Sequence, residues 1–120
     1  MSQPRQPPSI DAYGGGGFRV SGQRREGSLL ILADEPLSWA PTSLESIGQA
    51  DLQPILDHPG EVEFVLLGTG AHQALPPRAI RDTLLAARIG LEFMDTPAAA
   101  RLYNVLASEG RRVAAALIAI

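Results

Sequence analysis

The sequence contains no cysteine. Without thiols it can form no disulfide, hold no metal through thiolates and use no cysteine nucleophile, and its folding should not depend on the redox state of its surroundings. Charged residues are also few, at 19% of the 120 residues, and their net charge of -3 offers no basic field to attract nucleic acid. We therefore predict a cytoplasmic protein without a nucleic-acid partner.

Long hydrophobic runs are missing as well. The longest apolar run, Val113 to Ile120, is far shorter than the roughly 20 residues with which a helix crosses a bilayer. The first residues, Met1 to Ser9, are rich in proline and glutamine and lack the apolar core of a signal peptide. We expect no membrane insertion, a flexible tail over residues 1–9, and a single domain over residues 10–120.

The N-terminal half predicts short strands joined by tight turns. Four consecutive glycines, Gly14 to Gly17, permit the positive φ angles of a reversal between the first two strands. Trp39 is expected in a further strand before Pro41, where it either covers the core or anchors a partner, and we favour the core. A short helix should run from Asp51 to Leu56, after an ambiguous segment at Leu44 to Ile47. The other predicted strands of this half are Ile10 to Tyr13, Phe18 to Val20 and Ser28 to Ala33.

The C-terminal half has the periodicity of alternating strands and helices. A continuous apolar run, Val62 to Leu67, is typical of a strand buried on both faces. One helix should run from Arg78 to Arg88 and end at Gly90, and a second should begin with Thr96 as its cap and end at Gly110. The expected buried positions of these helices are Ile80, Leu84 and Ala87, then Ala99, Leu102, Tyr103 and Leu106.

Two more strands, Leu91 to Met94 and Arg112 to Ile120, complete a β-α-β-α-β order. Short returns between such strands require right-handed crossovers within a parallel sheet. We predict an α/β fold in which the C-terminal half is parallel and a short N-terminal β portion is antiparallel.

Several spaced motifs occur in a recognisable order along the chain. They are Leu67-Gly68-Thr69-Gly70, Ile89 to Thr96, Ala99, Tyr103-Asn104, Leu106 and Glu109-Gly110-Arg111, preceded by Tyr13, the glycines before Phe18, Gly27-Ser28 and Trp39. In these the chain resembles the domain of unknown function 498 family, from Ile10 to Ile118. The resemblance implies a compact α/β fold with a mixed sheet and no established catalytic residues. Because that family includes an assembly factor of respiratory complex I, it also implies a non-catalytic binding or assembly protein with a protein partner.

The segment Gly68-Thr69-Gly70 follows a predicted buried strand, which is also where dinucleotide-binding folds place their glycine-rich turn. The fingerprint fails at its third glycine, where Gln73 stands. Pro76 and Pro77 then occupy the start of the following helix, where a pyrophosphate would need free amides. We therefore predict that the loop from Gly68 to Pro77 is a structural turn and that the protein binds no cofactor.

An alternative is a small-ligand or enzyme site at this same loop. His72 lies at the carboxyl end of a predicted central strand, where open parallel sheets bind their ligands, and Thr69 and Asp95 should be near it. No orienting partner for His72 is apparent, and the two histidines have no metal-ligand spacing. Catalysis is thus the less favoured hypothesis, and we predict no metal site.

Two further polar residues fall in the family-like helix and its end. Asn104 is a poor helix former in mid-helix, so it either bonds a neighbouring segment or faces a ligand. Arg111 could bond the exposed carbonyls at the helix end. We favour structural roles for both. The candidate ligand or interaction residues are Gly68, Thr69, Gly70, His72, Asp95, Asn104 and Arg111.

Overall fold

A computed structural model describes residues 5–58 and 60–120 as two β-sheets and three helices. None of the helices in these described residues is long and apolar enough to cross a membrane. The strands are β1 Ile10–Gly14, β2 Gly17–Val20, β3 Gln23–Glu26, β4 Ser28–Leu32, β5 Glu35–Trp39, β6 Phe64–Gly68, β7 Gly90–Met94 and β8 Val113–Leu117. The helices are α1 Gln49–Leu56, α2 Arg78–Ala86 and α3 Thr96–Ser108, and a short 3-10 turn at Leu44–Ser46 precedes α1.

The larger sheet has the order β5-β4-β8-β6-β7. Strand β6 pairs in parallel with both β7 and β8, whereas β4 pairs antiparallel with β5 and β8. The predicted mixed α/β fold and its parallel C-terminal half are thus confirmed. The crossover helices make this arrangement possible, since parallel neighbours cannot be joined by a tight turn.

The smaller sheet is antiparallel, with the order β1-β2-β3. Its first turn uses the predicted glycine run, in which Gly14, Gly15 and Gly16 have φ angles of 126°, 62° and 82°. The sequence analysis missed β3, because Gln23–Glu26 is polar and shows no apolar alternation. That strand forms by pairing across the tight turn at Ser21 and Gly22, where both φ angles are positive.

The larger sheet is buried on both faces, which accounts for the continuous apolar run of β6. Val65 and Leu67 face the side covered by α1 and α2, and Leu66 faces α3 and the smaller sheet. Trp39 is 6% exposed and its Nε1 donates to the Asp51 carbonyl at 3.0 Å, so the tryptophan covers the core as predicted.

Helix α3 differs from its prediction at its first residue and on its buried face. The cap is Asp95, whose carboxylate accepts from the Ala98 amide at 2.8 Å, and Thr96 is the first helical residue. Leu102 and Leu106 are only partly buried. The buried positions are small side chains and one aromatic, namely Thr96, Ala99, Ala100, Tyr103 and Ala107.

Helix α2 ends earlier than predicted, with Ala87 as its exposed cap and Gly90 already in β7. The residue in the left-handed conformation is Arg88, at φ 60°, and not a glycine. The Arg88 and Ile89 amides donate to the Leu85 and Leu84 carbonyls at 3.0 and 2.9 Å. These two bonds form the helix-ending motif in which glycine is usually found.

We expect Arg88→Gly to raise the free energy of unfolding by about 0.5–1 kcal/mol, because glycine adopts this conformation without the Cβ clash of arginine. Urea unfolding at equilibrium measures the change. The control is Arg78→Gly in the exposed first turn of α2, which should instead lower stability by a similar amount. A loss of stability in Arg88→Gly would contradict the prediction.

Residues 5–9 belong to the segment predicted to be a flexible tail. Within it, Pro8 is buried and the Arg5 side chain contacts the domain. Residues 1–4 lie outside the described residues, and the flexibility of the tail stays a prediction.

Candidate functional site

The glycine-rich segment after β6 closes the carboxyl ends of the parallel strands. The Gly70 amide donates to the Thr96 hydroxyl at 3.0 Å, and that hydroxyl donates to the Ile118 carbonyl at 2.7 Å. The Gly70 carbonyl in turn accepts from the Thr96 amide at 2.8 Å, and the Gly68 carbonyl accepts from the Ile118 amide at 3.0 Å. Thr96 is fully buried. We call this group of residues, Gly68, Gly70, Thr96 and Ile118, the strand-end network.

The packing around Gly68 leaves no room for a side chain. A Cβ atom at this position would lie 2.8 Å from Thr96 Oγ1 and 2.9 Å from Leu117 Cδ2, both closer than real Cβ contacts allow. The glycine therefore permits close packing between β6, β8 and α3.

Thr69 contacts the backbone of His72 and not its side chain. The Thr69 hydroxyl lies 2.6 Å from the His72 carbonyl oxygen and 3.2 Å from that of Met94. The His72 side chain is exposed, while the Asp95 carboxylate is used to cap α3. The structure thus brings the backbone of the loop to the sheet edge, without a side-chain bond between His72 and Asp95 in the described residues.

An open depression of about 440 Å³ borders this loop. It lies between the 3-10 turn, the loop residues Thr69, Gly70, Ala71 and Ala74 and the last residues, Ile118 to Ile120. Its lining is mostly apolar, and Glu45 is the one ionisable side chain among its described lining residues. Such a surface lacks the paired acid and base that proton transfer requires.

Asn104 holds β1 against α3. Its Oδ1 accepts from the Ile10 amide at 2.9 Å, and its Nδ2 donates to the Ile10 carbonyl at 2.8 Å. The side-chain amide therefore binds both backbone groups of one residue, as a neighbouring strand would, which is consistent with the structural role that we favoured.

The Arg111 side chain bonds to Glu63, just before β6. The sequence had suggested a bond to the exposed carbonyls at the end of α3, and no such side-chain bond occurs among the described residues. The Arg111 Nε donates to Glu63 Oε2 at 3.1 Å, and its guanidinium lies over the Phe64 ring, 5.8 Å from the centroid. The backbone amide of Arg112, and after it the Arg111 side chain, lower the pKa of Glu63 by bonding its carboxylate. This contact joins the start of β6 to the segment before β8.

Arg5 forms a further polar contact, which was not predicted from the sequence. Its Nε and Nη2 donate to the two carboxylate oxygens of Asp34 at 2.9 and 2.8 Å. Its Nη1 donates to the Gly110 carbonyl at 2.9 Å, and Nη2 lies 3.4 Å from the Arg111 carbonyl. Asp34 is presented by a two-residue turn in which it and Ala33 both have positive φ. The Ala33-Asp34 dipeptide between two strand patterns could have indicated that turn, but not its partner 29 residues away.

Tyr103 lies near this ion pair, at the inner face of α3. Its side chain is 2% exposed, and its hydroxyl has no hydrogen-bond partner among the described residues. Burial raises the pKa of the Tyr103 phenol, the negative charge of Asp34 raises it further, and the positive charge of Arg5 acts in the opposite direction.

We expect Tyr103→Phe to leave the free energy of unfolding unchanged or to raise it by up to about 1 kcal/mol, since it removes a buried polar group that forms no bond. Thermal and urea unfolding would measure this. Tyr13→Phe, whose hydroxyl accepts from Arg101 at 3.1 Å on the surface, is the control for an exposed phenol. A loss above about 1 kcal/mol in Tyr103→Phe would show that the hydroxyl is bonded after all.

Within the described residues, no group of three or more histidine, aspartate or glutamate side chains could hold a metal ion.

A family model described as a protein of unknown function (DUF498/DUF598) matches residues 10–118. The chain belongs to this family. It is 42% identical to an uncharacterised protein of Rhodobacter capsulatus, over 91% of this chain and 82% of that protein. A crystal structure titled as an outer membrane protein from Bartonella henselae is also similar, with a TM-score of 0.86 and 37% identity over 94% of this chain and 95% of that one.

The family also reaches into animals. The chain is 33% identical to NADH dehydrogenase (ubiquinone) 1 alpha subcomplex assembly factor 3 of Bos taurus, over 91% of this chain. It spans 59% of the length of that bovine protein.

Proposed function

We propose that this protein is a non-catalytic binding or assembly protein that acts on a protein partner during the assembly of respiratory complex I. One observation carries the proposal: the polar groups at the sheet end where an α/β protein would bind its ligand are used by the strand-end network. The name of the bovine relative supplies the partner complex.

The side chains at the loop favour contact with a protein over chemistry. Thr69 is bonded to backbone carbonyls, Asp95 caps a helix, and His72 is exposed without a bonded carboxylate in the described residues. Leu75 follows the depression-lining Ala74 in the same loop and is 62% exposed. An exposed leucine beside an open, mostly apolar depression suits a protein surface better than a reacting substrate.

The proposal is tested by deleting the gene in its source organism and measuring assembled complex I on native gels. We expect less assembled complex, restored by the wild-type chain, and capture of complex I subunits or assembly intermediates on the tagged protein. Unchanged complex I levels together with no captured subunit would refute the proposal.

A pair of variants locates the contact surface within that experiment. Leu75→Asp places a charge at the loop, and Leu85→Asp places one on the outer face of α2, where the leucine is 74% exposed. We expect the first variant to lose the captured subunits and the second to retain them. Equal capture by both variants would place the contact away from the loop.

A second candidate function is binding of a small ligand in the depression of about 440 Å³ beside the loop. Its size falls within the range of small-molecule pockets, and hydroxyls from Thr42, Ser43 and Thr69 could orient a ligand. Calorimetric titration with NAD, NADP, FAD and ATP tests it. Saturable micromolar binding that is lost in Thr42→Val, which removes a hydroxyl from the lining of the depression, would favour this function over the structural turn.

A further inference from the structure

The Arg5 guanidinium is bound by residues from distant parts of the fold. We call these residues, Asp34, Gly110 and Arg111, the Arg5 site. Four oxygen atoms surround the guanidinium at 2.8 to 3.4 Å: both carboxylate oxygens of Asp34 and the carbonyls of Gly110 and Arg111. The carboxylate comes from the turn between β4 and β5, and the carbonyls come from the end of α3. A bidentate carboxylate with additional carbonyl acceptors matches the planar fork of a guanidinium group.

The Arg5 site adjoins an open depression. This depression has a volume of about 290 Å³, and Glu61, Arg112 and Val113 also line it.

We propose that the four oxygen atoms around Arg5 form a binding site for an arginine side chain of a protein partner, which enters through the adjoining depression, and that Arg5 occupies this site in cis until the partner displaces it. The inference deepens the proposed function, from which it takes only the existence of a protein partner.

The charges of the site favour a cation. With Arg5 withdrawn, the ionisable lining is Asp34 and Glu61 against Arg112, two carboxylates against one guanidinium. An anionic ligand would gain little from Arg5, since its donors are already paired with Asp34 and two carbonyls. Lysine would bind less well than arginine, because an ammonium group cannot bond both carboxylate oxygens and the flanking carbonyls in one plane.

The contact made by Arg5 is of a kind that a partner can displace. The Arg5 and Asp34 side chains are 39% and 24% exposed, and ion pairs so open to water contribute little to stability. Arg5 also lies on a segment outside the strands and helices, which includes Pro7 and Pro8 and precedes the first strand at Ile10. It therefore competes as a tethered ligand, whose strength is set by its effective concentration.

The test uses the full-length chain and N-acetyl-arginine N′-methylamide as the probe. In Arg5→Ala we expect saturable binding, with amide chemical-shift changes confined to Asp34, Gly110, Arg111 and their neighbours. The wild-type chain should bind the probe roughly two- to sixfold more weakly, because an exposed pair worth up to about 1 kcal/mol holds Arg5 in the site. The corresponding lysine derivative should bind more weakly still to Arg5→Ala.

Two double variants separate the site from general charge effects. Arg5→Ala with Asp34→Asn should lose binding, whereas Arg5→Ala with Glu35→Gln, which removes the adjacent exposed carboxylate, should retain it. Circular dichroism establishes that each variant is folded, and Arg5→Gln replaces Arg5→Ala if the latter is not.

Two results would overturn the proposal. One is that neither Arg5→Ala nor Arg5→Gln binds the probe saturably. The other is that adding Asp34→Asn to Arg5→Ala leaves the affinity for the probe unchanged. Neither result bears on complex I levels in the deletion strain, so failure of this inference is distinguishable from failure of the proposed function.

Discussion

Thr96→Val should lower the free energy of unfolding by roughly 2–4 kcal/mol, although valine has nearly the same shape as threonine. The Thr96 hydroxyl is fully buried, accepts from the Gly70 amide at 3.0 Å and donates to the Ile118 carbonyl at 2.7 Å. Valine would remove both bonds. A buried amide loses its side-chain acceptor and a buried carbonyl loses its donor, and each unsatisfied group costs about 1–3 kcal/mol.

Equilibrium urea unfolding measures this loss, and two variants serve as controls. Thr96→Ser keeps the hydroxyl and should recover most of the stability. Thr83→Val removes a hydroxyl that bonds the Ala79 carbonyl at 2.8 Å on the exposed side of α2, and it should change stability by no more than about 1 kcal/mol. Equal effects of Thr96→Val and Thr83→Val would mean that the strand-end network contributes nothing beyond an ordinary surface bond.

Leu66→Ala should lower the free energy of unfolding by about 2–5 kcal/mol. Leu66 has no exposed surface and lies on β6, between β8 and β7, on the face of the larger sheet that α3 covers. Truncation leaves a cavity between a rigid sheet and a helix that packs on it through small alanine side chains, so neighbouring groups cannot collapse into the space.

Leu102→Ala, on α3 itself, is the matched comparison. The pattern of apolar residues placed Leu102 in the buried stripe, but the structure leaves it partly exposed. Its truncation should therefore cost only about 1–2 kcal/mol, in proportion to the smaller apolar area lost. The same urea titrations measure both leucines, and a cost for Leu102→Ala as large as that for Leu66→Ala would contradict the observed packing of α3.

The sequence motif of the loop between Gly68 and Pro77 predicted only part of its structure. The missing third glycine and the two prolines predicted a structural turn, and the strand-end network offers a reason for the two glycines that are present. The Thr96 hydroxyl that completes this network could not be recognised in sequence, because a threonine beside a proline at a helix start reads equally well as a cap. The cap is instead Asp95, one residue earlier.

Contacts between distant residues account for the other differences. Arg5 binds Asp34 across 29 residues, and Asn104 binds Ile10 across 94. Neither pair leaves a periodic signal, because each is a single contact between side chains or backbone groups that come together only when the sheets and α3 are in place. The polar strand β3 likewise exists only through its pairing with β2.

The sequence by itself determined the C-terminal β-α-β-α-β order and its parallel strands, because a strand buried on both faces and a helix buried on one must show their periodicity locally. It also excluded thiol chemistry through the absence of cysteine. Only the tertiary structure decided that alanines and Tyr103 form the buried face of α3 and that Arg88 adopts the left-handed conformation after α2. It also decided that Arg5 forms an ion pair with Asp34. These features depend on what lies opposite each residue in space, and that is set by packing between elements far apart in the chain.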